Sequence, residues 1–231
     1  LRVALVEEKK LGGVCLHWGC IPTKALYAAT RLLWQASTAT EMGIEFGVPR
    51  IDVVRLAAWK DGVITRLAGG IADLVKAAGT EVAADRARLA GPHTVRLSRG
   101  ETLEAANIVL ATGSRPMEIP GFPFSHPRIW SSDDALALEE VPARLAIVGG
   151  GVIGLELGTI YRRLGTDVTV IELLPDVLPT LDVDRRAVAA VKRGLVSAGI
   201  RTLTGLSATS CEDREDGLTL TLGDGSTLDV E

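Results

Sequence analysis

Residues 144–172, RLAIVGGGVIGLELGTIYRRLGTDVTVIE, restrict the fold more than any other stretch of the chain. An aliphatic run, Leu145 to Val148, leads into a G-x-G-x-x-G arrangement at Gly149, Gly151 and Gly154, with Gly150, Val152 and Ile153 between. A helical pattern follows to Leu164, and a second aliphatic run, Asp167 to Ile171, ends at an acid, Glu172. A glycine triplet alone also serves close packing at strand-to-helix turns. Strand, triplet, helix, strand and terminal acid in that order predict a parallel βαβ unit that binds a dinucleotide. The first glycine makes the tight turn, the second admits the pyrophosphate, and the third lets helix meet sheet, while the helix N-terminus attracts phosphate.

Glu172 bears on the choice of dinucleotide. A carboxylate accepts both ribose hydroxyl protons of NAD but repels a 2'-phosphate, and residues 173–181 contain no Arg or Lys to hold one. NAD is therefore expected rather than NADP.

Leu11 to Leu26, LGGVCLHWGCIPTKAL, is the second informative stretch. Cys15 and Cys20 are five positions apart, which on a regular helix separates their Cα atoms by roughly 8.6 Å, beyond the reach of a disulfide. A bridge between them requires irregular backbone, for which Gly19 gives freedom, and Gly12 and Gly13 allow close backbone approach. Pro22 suits a first helical turn, and Lys24 follows Cys20 by one turn. A thiol at a helix start with an ammonium nearby has its thiolate favoured and reads as redox chemistry. Two unrelated core thiols fit a bare C-x4-C equally well, and half of a zinc site is the remoter alternative. Zinc needs two further ligands, and Cys211 with three scattered histidines offers no second spaced pair, so no metal site is expected.

Composition fits this picture. Hydrophobic residues make up 47% and aromatics 4% of the 231 residues, as in α/β proteins with aliphatic parallel strands. A net charge of -4 gives no reason to expect nucleic acid or an anionic membrane as partner, and no apolar run spans a bilayer. Three cysteines are too few for a disulfide-rich secreted scaffold.

In chain order, RVALVE predicts a buried strand carrying Glu7 at its end, where α/β sheets place ribose-binding acids. The glycine turn that should precede it is missing. Helices are expected over Ala25 to Ser37 and Val53 to Ala78, and strands of one small sheet around Glu81 to Arg88 and Thr94 to Ser98. Asn107 to Ala111 reads as a buried strand running into Thr112, Gly113 and Ser114. Pro116 to Pro127 is an extended crossing, Ser131 to Glu140 a short capped helix, and Asp184 to Ala198 another helix.

The two motifs, with ATGSRPMEIPG, HPRIW and IELLPDVLP, closely resemble those of the flavin disulfide oxidoreductases (the pyridine nucleotide-disulfide oxidoreductase family), over essentially the whole chain. CIPTKAL and Glu172 resemble the dihydrolipoyl dehydrogenase branch; mercuric and other disulfide reductases, or a truncated nucleotide-binding or thiol-sensing module, are the alternatives. The resemblance implies an α/β protein of two Rossmann-like domains, both incomplete: 1–142 for FAD and 143–231 for NAD.

It further implies that Glu7 binds the FAD ribose, Gly12 and Gly13 pack along the cofactor, and Ala87 and Thr112 to Ser114 complete the FAD contacts. Cys15 becomes the interchange thiol, Cys20 the thiol against the flavin, Lys24 the lysine near the flavin and Glu156 its partner, so that Lys24 and Glu156 should pair. Leu206 matches a backbone contact to the NAD adenine. His17-Trp18 departs from the family, where Asn and a smaller residue are common. The implied whole enzyme is a cytoplasmic homodimer acting on the lipoyl domain of a 2-oxo acid dehydrogenase complex, with a C-terminal interface domain and an N-terminal flavin glycine motif outside this stretch.

Overall fold

The computed structural model describes residues 2–179 and 182–231. Leu1 and the last two residues of the segment without a phosphate-binding cation, Thr180 and Leu181, lie outside the described residues. The chain forms two compact units: one from the segments up to Ile21 and Asp61–Arg115, the other from Pro22–Lys60 and Pro116–Glu231.

In the first unit, β1 (Ala4–Val6) pairs in parallel with β2 (Glu81–Ala83). The expected strand before Glu7 forms, but it has one neighbour, and Val3 and Leu5 stay exposed. β3 (Ala87–Gly91), β4 (Thr94–Leu97) and β5 (Thr102–Glu104) make an antiparallel meander that buries Leu97. The stretch expected to serve one small sheet is thus divided. The Asp85 N–H turns back to the Ala83 carbonyl and the Asp85 carboxylate accepts the Arg86 N–H, which ends the first ladder before the second begins.

Asn107 to Ala111 corrects a second expectation. It carries no ladder, and Val109 and Leu110 are 86% and 66% exposed. An aliphatic run becomes a strand only by pairing, because its N–H and C=O groups need a neighbour. No strand among the described residues pairs with it.

Helix α1 (Gly13–Trp18) is followed at once by α2 (Cys20–Thr38), and α3 spans Val53–Ala77. In the second unit, β6 (Arg144–Val148), β7 (Asp167–Glu172) and β8 (Arg201–Thr204) form a parallel sheet in that order. β7 is central, and Val168, Val170 and Ile171 are buried, as a continuous aliphatic run predicts. α5 (Val152–Leu164) packs on this sheet through Gly158, where an added Cβ would stand 3.2 Å from Ile147 Cδ1.

α4 (Ser132–Ala137) begins with a capping box between Ser131 and Asp134, and α6 (Arg185–Ser197) is capped by Asp184. β9 (Ala208–Arg214), β10 (Gly217–Leu222) and β11 (Thr227–Val230) form an antiparallel sheet over Phe122 and Ile171. The main core joins Leu26 of α2, Leu136 of α4, Ile160 and Tyr161 of α5, and Val168 and Val170 of β7.

Candidate active site

Cys15 and Cys20 are bridged by a disulfide, with Cα atoms 4.7 Å apart. The irregularity this demands sits at Gly19, which ends α1 with φ -146° and ψ -110°. A Cβ there would lie 3.2 Å from Cys15 Cα, so the close return of the chain depends on glycine. Gly12 enters α1 in the left-handed region, and a side chain there would collide with Leu16. His17 Nε2 bonds the Leu11 carbonyl at 2.8 Å, so the histidine closes the turn before the bridge. Trp18 has the ammonium groups of Lys9 and Lys10 about its ring.

Thr112, Gly113 and Ser114 lie in the same unit. Gly113 has φ +72°, and a Cβ on it would stand 3.0 Å from Val14 Cγ2, which sets this turn against α1. Glu7 follows β1 and accepts the Lys9 N–H. Ala87 opens β3 in the other sheet; its neighbour Arg86 reaches Glu8 at 3.6 Å.

In the second unit, the Gly149 N–H is bound by the Ile171 carbonyl and the Gly150 N–H by Glu172 Oε2 at 2.7 Å. Glu172 is 8% exposed and also accepts the Leu174 N–H. Gly154 is required by the turn, because a Cβ there would run into the Gly149 carbonyl. Gly151 caps α5 without a side-chain bond. Among the described residues no side chain caps the first-turn amides of Val152, Ile153 and Gly154 from the N-cap at the positive end of the helix, a donor set that fits a diphosphate. The Leu206 N–H is bound to the Glu172 carbonyl, so Leu206 sits beside the acid.

Lys24 Nζ meets Glu156 Oε1 at 2.8 Å, joining α2 to α5. The expected pair is therefore present. Glu156 lies beyond the first turn of α5 and is partnered by the lysine. The third cysteine, Cys211, is in β9 near the Gly121 carbonyl, and burial, then Asp213, pushes its thiol up. Among the described residues no cluster of His, Cys, Asp and Glu is arranged for a metal ion, and no helix is long and apolar enough to cross a membrane.

Lys60 was missed by sequence reasoning. It is 4% exposed and donates to the carbonyls of Leu136 and Ala137 at the end of α4. Its signal was a lysine at the seventh step of the apolar spacing Val53, Leu56, Ala57.

A redox disulfide at the start of a helix and a nucleotide-type glycine turn at the start of another, in one α/β chain, define a class of flavin-linked disulfide enzymes. The sequence matches the pyridine nucleotide-disulphide oxidoreductase family over residues 1–231, and the chain belongs to that family. It is 43% identical over 219 residues to a dihydrolipoyl dehydrogenase of Thermus scotoductus, covering 94% of this chain and 46% of the relative. A dihydrolipoyl dehydrogenase of Halobacterium salinarum is 41% identical over 230 residues, covering 97% and 48%. The crystal structure of LpdA from Mycobacterium tuberculosis is similar with a TM-score of 0.85 at 25% identity, covering 99% of this chain and 51% of that one. The chain thus spans about half the length of these relatives.

Proposed function

We propose that this chain is the part of a dihydrolipoyl dehydrogenase that carries the redox disulfide and the contacts to both cofactors. The observation that carries the reading is the Cys15–Cys20 bridge at the head of α2, the helix whose Lys24 meets Glu156 behind the glycine turn. Residues 1–142 take FAD through Glu7, Gly12, Gly13, Ala87 and Thr112 to Ser114. Residues 143–231 take NAD through Gly149 to Gly154, Glu172 and Leu206. The similarity to two dihydrolipoyl dehydrogenases supports the choice of substrate.

One thiol of a dihydrolipoyl group attacks Cys15 Sγ, breaking the bridge and forming a mixed disulfide; Cys20 leaves as thiolate. The second substrate thiol attacks its own bound sulfur, releasing Cys15 and closing the cyclic disulfide. Two electrons now reside on the cysteine pair. Bound FAD supplies the two-electron relay from this pair to NAD, which leaves as NADH with release of a proton. Lys24, paired with Glu156 at 2.8 Å, would hold positive charge toward the bound flavin. The Val152 to Gly154 amides hold the NAD diphosphate and Glu172 its ribose. The whole protein is read as a cytoplasmic homodimer whose partner is the lipoyl domain of a 2-oxo acid dehydrogenase complex.

The test uses the intact, FAD-loaded protein after reduction. Cys15→Ser should keep the long-wavelength absorbance of a thiolate against flavin, and Cys20→Ser should lose it. The reverse pattern overturns the assignment of the two thiols. Failure of the wild-type protein to reduce NAD with dihydrolipoamide overturns the activity.

A further inference from the structure

Arg163, near the end of α5, has no place in the chemistry above, yet it is held in an unusual way. Its guanidinium lies 4.3 Å from the centre of the Tyr27 ring and 6.0 Å from that of Trp34, both on α2. Nη2 donates to Tyr27 Oη at 3.3 Å. Nη1 is shut off from solvent with no hydrogen-bond acceptor. A buried N–H without an acceptor is costly, so the cation is held there by the faces of two aromatic rings, an attraction that grows when the site is desolvated.

The spacing gives this cradle a meaning. Glu156 and Arg163 are seven residues apart on α5, about 10 Å along the axis. On α2, Tyr27 and Trp34 lie about 4.5 Å and about 15 Å beyond Lys24 and so bracket that level. The two helices are therefore joined at two separate places, Lys24 to Glu156 and the aromatic pair to Arg163, with the buried Leu26 in the core they share. One contact lets a helix pivot and slide about it. Two separate contacts remove both freedoms, and a planar guanidinium against ring faces resists sliding better than a flexible ammonium.

We propose that Arg163, cradled by Tyr27 and Trp34, is a positioning residue that fixes the register of α2 against α5 and thereby holds Lys24 on Glu156. The inference rests on the proposed function only for its consequence at the flavin; the register itself is a property of these helices.

The test is competitive acylation of lysines in the intact protein at a limiting dose of an isotope-coded acetylating reagent, read by mass spectrometry. An amine held by a carboxylate must leave it before it can attack. Arg163→Met should raise labelling of Lys24 by about threefold or more while Lys192 of α6, paired with Asp176, changes little. Trp34→Leu, at a half-exposed site, should act in the same direction and serves if Arg163→Met does not fold. Tyr27→Phe keeps the ring and should leave Lys24 near its wild-type rate. In a Glu156→Gln background Arg163→Met should add nothing.

Unchanged Lys24 labelling in both Arg163→Met and Trp34→Leu overturns the proposal, as does a parallel rise at Lys192 or an undiminished rise in the Glu156→Gln background. A second readout separates the two readings: the flavin midpoint potential of the FAD-loaded protein. Faster Lys24 labelling with an unmoved potential upholds the positioning role and overturns the flavin-side reading of Lys24.

Discussion

Glu172 and Gly150 are 22 residues apart in sequence and are joined by a 2.7 Å hydrogen bond from the glycine N–H to the carboxylate. The acid that ends the second strand thus also shapes the turn that follows the first. Glu172→Ala leaves the Gly150 and Leu174 amides without their acceptor and should cost about 1–3 kcal/mol. Glu172→Gln keeps an acceptor oxygen and should cost less. Chemical denaturation of the two variants beside the wild type measures the difference, and equal losses would count against this role of the carboxylate.

The same carboxylate governs cofactor choice under the proposed function. The wild-type protein should favour NAD over NADP by at least about tenfold in kcat/KM, or ~1.4 kcal/mol, and Glu172→Gln should narrow that ratio. Equal kcat/KM for the two nucleotides in the wild type would sink the idea.

Gly154→Ala places a methyl group against the Gly149 carbonyl and 3.1 Å from Ile147 Cγ2. Neither neighbour yields easily, since one is backbone and the other packs in the core. Overpacking of this kind costs about 1–3 kcal/mol, and the forced opening of the turn should abolish tight nucleotide binding. Calorimetric titration with NAD, alongside a melting curve, separates the two effects.

Lys60→Met removes the ammonium that donates to the two last carbonyls of α4. Hydrogen bonds to a charged group contribute about 1.5–3 kcal/mol, so a loss of that order is expected by denaturation. The amides of α4 should keep part of their protection, because the helix is also held from α5 by the Tyr161 hydroxyl on the Ala135 carbonyl. Burial, with Glu140 second, holds the Tyr161 phenol well above its ordinary value, so it remains a donor throughout the neutral range.

Acid should weaken the antiparallel sheet in a defined window. The hydrogen bond from Thr219, then that from Arg214, holds the Asp229 carboxyl below its ordinary value. The folded state is therefore favoured by this group above the unfolded value of about 3.9. That contribution is lost as pH falls through the lowered folded value. Over this window the Tm of the wild type should fall more steeply than that of Asp229→Asn; identical slopes would show that the carboxylate contributes nothing.

The parts of the fold that were legible share a physical reason. β6, the glycine turn, α5 and β7 are specified locally by aliphatic runs, a glycine spacing and an acid. Given a bridge between Cys15 and Cys20, the need for irregular backbone between them followed from helix geometry. The Lys24–Glu156 pair, 132 residues apart, was legible through the family resemblance. Asn107 to Ala111 was misread because composition reports a tendency to be a strand, while a ladder needs a neighbour. Arg163 was not singled out because a surface arginine late in an amphipathic helix looks like a solvated, dipole-favoured charge. Only the tertiary approach of Tyr27 and Trp34 gives it another role.

Because Gly19 ends one helix and lets the next begin at once, each thiol of an opened bridge remains tethered five positions from the other. A short tether acts as an effective concentration of about millimolar or more, which an outside thiol at micromolar level cannot match. A foreign sulfur caught on either cysteine is therefore soon displaced by the neighbouring one. Under the proposed function the kink thus makes the segment a turnstile for sulfur compounds, which it passes on and does not store.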